Sequence, residues 1–74
     1  MRVKKLTYKE LLEYIGSRCE FRSNCEFFPN FHVIGVVTAV DTERYEYFIK
    51  VKTEPTGKEI PISSNMRNLT IEKL

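Results

Sequence analysis

The chain has 74 residues, 42% hydrophobic and 30% charged, with 12 basic and 10 acidic side chains for a net charge of +2. That length supports one domain, 1–74, with a thin core and little room for the deep cleft most enzymes need. The composition excludes a disordered segment, and a charge so near neutrality does not announce a nucleic-acid binder.

The chain opens on a basic arm, residues 1–6. Arg2, Lys4, Lys5 and Lys9 precede the first acidic residue, Glu10, leaving eight basic against ten acidic residues in the remainder. Attraction to a polyanion would therefore lean on this arm, whose plain role is that of a solubilising tail. No apolar stretch of signal-peptide length comes after it, and runs such as Val33 to Val37 are far short of a membrane span. A cytoplasmic location with no membrane partner is expected.

A helix over Tyr8 to Ile15 comes next. Thr7 is a good N-cap, Glu10 completes a capping box, and Leu6 before the cap faces Leu11 as a hydrophobic staple. Tyr8, Leu11, Leu12 and Ile15 form one apolar stripe, and Gly16 supplies the left-handed residue that ends the helix. Two turns are too short to stand alone in water, so the whole stripe is expected to pack on the β structure C-terminal to it.

After Gly16 the pattern alternates. Arg18 to Arg22 places Cys19 and Phe21 on one face and Arg18, Glu20 and Arg22 on the other. Cys25-Glu26-Phe27 comes after a break at Ser23-Asn24, and Pro29-Asn30 makes a second break. Phe31 to Val40 reads as a long central strand, with a bend or bulge at Gly35. Asp41 to Arg44 reads as a polar loop. Tyr45 to Lys52 then sets Tyr45, Tyr47, Ile49 and Val51 against Glu46, Phe48, Lys50 and Lys52. Glu54-Pro55-Thr56-Gly57 suits a type I turn. Lys58 to Ile62 points Ile60 and Ile62 inward, and Pro61 implies an edge strand. Ser63 to Arg67 is a tight polar turn, and Asn68 to Lys73 closes the chain with Leu69 and Ile71 inward. The expectation is a mostly β fold, a five-stranded antiparallel sheet curled into a small barrel behind one short helix.

In this pattern the chain resembles the SH3-like and Sm-like small barrels over roughly Leu6 to Leu74. The resemblance rests on Gly35-Val36-Val37-Thr38-Ala39-Val40-Asp41 as a bent second strand and on Tyr47 to Lys52 as the third. It also rests on Ile60-Pro61-Ile62-Ser63-Ser64-Asn65-Met66 as a strand entering a short turn, and on a helix feeding the first strand through Gly16. The resemblance implies a fold. The RNA-binding members carry an Asp-to-Asn motif after the second strand, and Asp41-Thr42-Glu43-Arg44 has no Asn. Arg67 and Asn68 lie near where a second nucleotide-contacting loop would fall. The acidic loop and proline-binding aromatics of peptide-binding SH3 domains are not identifiable.

The reactive residues read as structural. Cys19, Cys25 and His32 are too widely spaced for a zinc knuckle and lack a fourth ligand, so no metal or other cofactor is expected. A Cys19–Cys25 disulfide fits a tight hairpin, but a reduced pair is the default for a cytosolic chain. His32 beside Glu26 or Asp41 would make a base pair for catalysis, whereas a lone strand histidine is more often a hydrogen-bonded spectator. Ser63 and Ser64 lack a glycine elbow, and three scattered glycines make no phosphate loop, so no enzyme is expected.

Nine aromatics are many for this length; the plain reading is that most form the core and its rim, and any surplus would lie exposed. Phe27, Phe28, Phe31, Tyr45, Tyr47 and Phe48 would supply it, and Phe48 shares an outward face with Lys50 and Lys52. The leading expectation is a non-catalytic module that binds a protein partner or itself through the Phe48 face or an open strand edge. The alternative is a small barrel binding single-stranded RNA or DNA. In that reading Phe48 and Tyr45 stack bases, and Lys50, Lys52, Arg18, Arg22, Lys4 and Lys5 contact phosphates.

Overall fold

The computed structural model describes residues 1–26 and 29–74. Phe27 and Phe28, part of the expected aromatic surplus, lie outside them. The chain begins with a 3₁₀ turn, Val3–Lys5, and then helix α1, Tyr8–Leu12. Five strands complete it: β1 Arg18–Ser23, β2 Phe31–Glu43, β3 Glu46–Thr53, β4 Glu59–Ser63 and β5 Thr70–Lys73. All ladders are antiparallel, in the order β4-β3-β2-β1-β5.

The helix starts as its sequence dictates. Thr7 Oγ1 accepts from the Glu10 N–H at 3.2 Å, and Glu10 Oε1 accepts from the Thr7 N–H at 3.0 Å, which satisfies two otherwise orphaned donors. Leu6 and Leu11 of the staple are both buried. The helix ends earlier than expected, at Leu12, because the next turns tighten. Tyr14, Ile15 and Ser17 donate to the carbonyls three residues back, the 3₁₀ pattern. At three residues per turn Tyr14 falls beneath Leu11, so the inward stripe runs through Leu11 and Tyr14. Tyr8, Leu12 and Ile15, expected to dock, stay 36%, 37% and 42% exposed. Gly16, at φ 88°, turns the chain onto β2, its N–H donating to the Val37 carbonyl at 2.8 Å.

Strand β2 holds the sheet together because its two halves belong to different ladders. Residues Phe31 to Val36 pair with β1, and Gly35 to Glu43 pair with β3, so the two overlap only at Gly35 and Val36. Gly35 is needed there for close approach. A Cβ at that position would sit 2.4 Å from the Lys52 carbonyl oxygen and 2.8 Å from Val51 Cγ1. The bulge itself lies three residues on, at Thr38, where the register passes from Val37↔Val51 to Ala39↔Lys50. The expected loop Asp41 to Arg44 is mostly strand: β2 continues to Glu43, and the hairpin turns on Arg44 and Tyr45. The turn after β3 is not type I. Gly57 N–H reaches past Glu54 to the Thr53 carbonyl at 2.7 Å, around a cis Glu54–Pro55 bond.

One buried cluster unites the strands: Cys19 and Phe21 of β1, Val37 and Val40 of β2, Ile49 and Val51 of β3, Ile62 of β4 and Ile71 of β5, with Val3, Leu6, Leu11 and Leu69. Each such side chain contributes about 1.5–3 kcal/mol when fully buried. Because Ile62 and Ile71 come from opposite ends of the sheet, the sheet wraps around its core.

The expected barrel closure is not made. No ladder joins β4 to β5 among the described residues, and the edge of β5 is already occupied. The residue 1–6 arm lies against it: Ile71 N–H donates to the Met1 carbonyl at 2.9 Å, Val3 N–H donates to the Leu69 carbonyl at 3.0 Å, and Arg2 bridges to Thr70. Val3 is buried, so this segment is part of the fold. At the other end, β4 carries Pro61 on the open edge its missing donor requires.

Gly35→Ala should therefore destabilise the protein by about 3 kcal/mol through overpacking against β3. Gly16→Ala, with open space but a positive φ, should cost about 1 kcal/mol. Urea unfolding of both variants checks the ordering.

Candidate functional site

Cross-strand partners share a face, so the register assigns the outer surface. Arg18, Val36, Lys52 and Glu59 form one row, Ala39, Lys50 and Pro61 the next, and Asp41, Phe48 and Ser63 a third. Arg22 faces His32, and Glu20 faces Ile34. Five of the expected binding residues, Phe48, Lys50, Lys52, Arg18 and Arg22, thus lie on one face, with Phe48 half-buried.

The charges on that face are largely answered within it. Lys50 Nζ lies 3.1 Å from Asp41. Arg18 donates twice to Glu54, at 2.6 and 3.1 Å. Glu20 holds both Arg22, at 3.2 Å, and His32 Nε2, at 2.8 Å. His32 is thus hydrogen-bonded to Glu20, and not to Glu26 or Asp41, the partners a catalytic pair would have used. Only Lys52 among these cations has no carboxylate partner among the described residues. The face offers polymer phosphates few free charges.

The other expected residues lie elsewhere. Tyr45 stands at the hairpin tip, 93% exposed. It lines a small hollow of about 220 Å³ with Lys4, Leu6, Tyr47 and Asn65. Behind it Tyr47 packs on Tyr8, with ring centroids 5.5 Å apart, and the Tyr8 hydroxyl donates to the Val40 carbonyl at 3.4 Å. This joins the hairpin to the exposed ridge of Tyr8 and Leu12 on α1 and Ile15 in the turn after it. Lys5 is exposed on the 3₁₀ turn.

Two residues gain a role that sequence reasoning had barely marked. Arg67 and Asn68, in the β4–β5 turn, meet the N-terminal segment: Arg2 donates to Asn68 Oδ1 at 2.9 Å, and Arg2, Lys4, Arg67 and Asn68 line a hollow of about 110 Å³. The available signal was Arg67 itself, the one charge between Pro61 and Ile71. Asn68 takes φ 58°, a conformation asparagine tolerates.

Both cysteines are free. Burial pushes the Cys19 thiol above its ordinary value, and its Sγ lies 3.6 Å from the Ser17 carbonyl, so it behaves as a small core side chain. Among the described residues, no three His, Cys, Asp or Glu side chains gather as a metal site would require, and no helix is long and apolar enough to cross a membrane.

The molecule thus belongs to the class of small, mostly β domains with an open five-stranded antiparallel sheet and one short helix. No family model matches the chain, and neither a curated protein nor a solved structure matches it.

The ion pairs predict an acid limb of stability. Glu20 is held below the ordinary glutamate value by donation from Arg22 and then from His32, and Glu54 by donation from Arg18. A lowered carboxyl stabilises the fold above its unfolded pKa, and that contribution is lost as pH falls through its folded pKa. Unfolding free energy should therefore fall below about pH 4.5, the ordinary glutamate value, and the Glu20→Gln/Glu54→Gln double variant should show a shallower fall.

Proposed function

We propose that this chain is a non-catalytic interaction module that engages a protein partner, or a second copy of itself, through the apolar ridge of α1. The observation that carries this reading is the half-exposure of Tyr8, Leu12 and Ile15. Tyr8 leans on Tyr47, yet all three side chains, in successive turns, keep more than a third of their surface in water. An edge of this kind suits burial against another protein, where aromatic and aliphatic anchors supply most of the binding energy. The ridge replaces the Phe48 face as the favoured surface, because Phe48 is already half-covered and the charges around it, Lys52 apart, are paired.

The SH3-like or Sm-like reading of the scaffold is part of this proposal. It is supported by the bent β2 and by the helix that enters β1 through Gly16, and it would make the domain a platform whose chemistry lies in surface residues. Two free cysteines suit a reducing, cytoplasmic compartment.

Leu12→Glu and Ile15→Glu should leave the urea midpoint nearly unchanged, because both side chains are already partly solvated. Light scattering across a concentration range tests self-association, and a photo-crosslinker at position 12 tests a distinct partner in cells. A concentration-dependent mass abolished by Leu12→Glu, or a discrete adduct at position 12 absent at position 58, supports the proposal. A strict monomer without an adduct contradicts it.

A further inference from the structure

A second surface, away from the α1 ridge, carries an independent inference. Three open depressions meet at Asn68. The first, about 480 Å³, is lined by Arg22, Asn24, Asn30, Phe31 and Thr70 among others. The second, about 430 Å³, lies between Asn24, Glu26 and Arg67, and the third is the hollow of Arg2, Lys4 and Arg67. The first two share Asn24 and Asn68 and the last two share Arg67 and Asn68, so they adjoin one another as a track across the β4–β5 turn to the N-terminal segment.

Arg22, the one Lys or Arg lining the first depression, is paired with Glu20, but the charges at the other two contrast with those of the outer sheet face. Lys4 and Arg67 have no carboxylate partner among the described residues, and Arg2 is held only by the neutral Asn68 amide. Glu26 is the one carboxylate lining the three depressions. The scaffold beneath is fixed: Ser23 Oγ donates to the Arg67 carbonyl at 2.7 Å, tying the turn to the end of β1, and Val3 is bonded to Leu69. Free cations on a fixed turn can meet an anion without first breaking an ion pair.

We infer that this track binds the phosphodiester backbone of a single-stranded nucleic acid. Cations strung along connected, open depressions suit a chain of phosphates better than one enclosed anion. The amides of Asn24 and Asn30 each present a donor and an acceptor, as the exposed edges of unpaired bases require, and Asn68, its oxygen taken by Arg2, adds an amide donor. A lipid surface would instead call for projecting apolar side chains, and the large ones in the lining are the buried Leu69 and the half-buried Phe31.

The test is fluorescence anisotropy of the full chain with labelled single-stranded RNA and DNA oligonucleotides of mixed sequence, over a salt series. Lys4→Gln/Arg67→Gln removes two track charges and leaves the Arg2–Asn68 bond intact, while Lys52→Gln/Lys58→Gln removes the same charge elsewhere. The first pair should weaken binding at least about tenfold and lower the slope of log K against log salt by about 1.4, with the control pair within about twofold of the parent. Circular dichroism and the urea midpoint establish that both variants fold. Three results would overturn the inference: no parent binding at low salt, an equal loss in the control pair, or tighter binding to phosphatidylserine vesicles than to the oligonucleotides.

Discussion

The pairing of residues 1–3 with the outer edge of β5 is the contact on which the arrangement of this molecule depends. A five-stranded antiparallel sheet has two edges, each with unpaired donors and acceptors, and closure of β4 onto β5 would remove both. Here the Met1 carbonyl and the Val3 N–H occupy the β5 edge first, and Val3 fills a place in the core. The sheet stays open as a result. The same pairing brings Arg2 and Lys4 beside Arg67 and Asn68, residues from opposite ends of the chain. One backbone contact thus sets both the topology and the position of the unpaired cations.

Much of the local structure was legible in the sequence because it depends on near neighbours. The capping box at Thr7 and Glu10, the left-handed Gly16, the inward Cys19 and Phe21 and the edge position of Pro61 all derive from short-range spacing, and each appears in the fold. Gly35 was marked as special for a related but different reason. Its strand position suggested a bulge, whereas its role is to let the Lys52 carbonyl approach, and the bulge falls at Thr38. Of the expected stripe only Leu11 is buried; Tyr8, Leu12 and Ile15 stay partly exposed, and the change from α to 3₁₀ bonding after Leu12 rotates Tyr14 inward in place of Ile15.

What the sequence could not supply was charge pairing across the sheet. Lys50, Arg18 and Arg22 read as free cations beside Phe48, but Asp41, Glu54 and Glu20 lie within reach of them once the strands are in register. The Lys50–Asp41 and Arg18–Glu54 pairs are set by tertiary structure and have no signature in local spacing, whereas Arg22 and Glu20 stand two residues apart on one face of β1. The consequence is a sorting of charge, with a self-neutralised outer face and an unpaired basic track where the chain's first residues meet the β4–β5 turn. The apolar ridge of α1 is a third, separate surface. One shared core supports all three surfaces.

The most direct test of this sorting is a two-dimensional ¹H–¹⁵N NMR titration of the full chain with a short single-stranded oligonucleotide. The account predicts that amide shifts concentrate at Lys4, Asn24, Arg67 and Asn68, while Phe48, Lys50 and Lys52 stay in place. Shifts centred on Phe48 to Lys52, with the track residues unmoved, would contradict it.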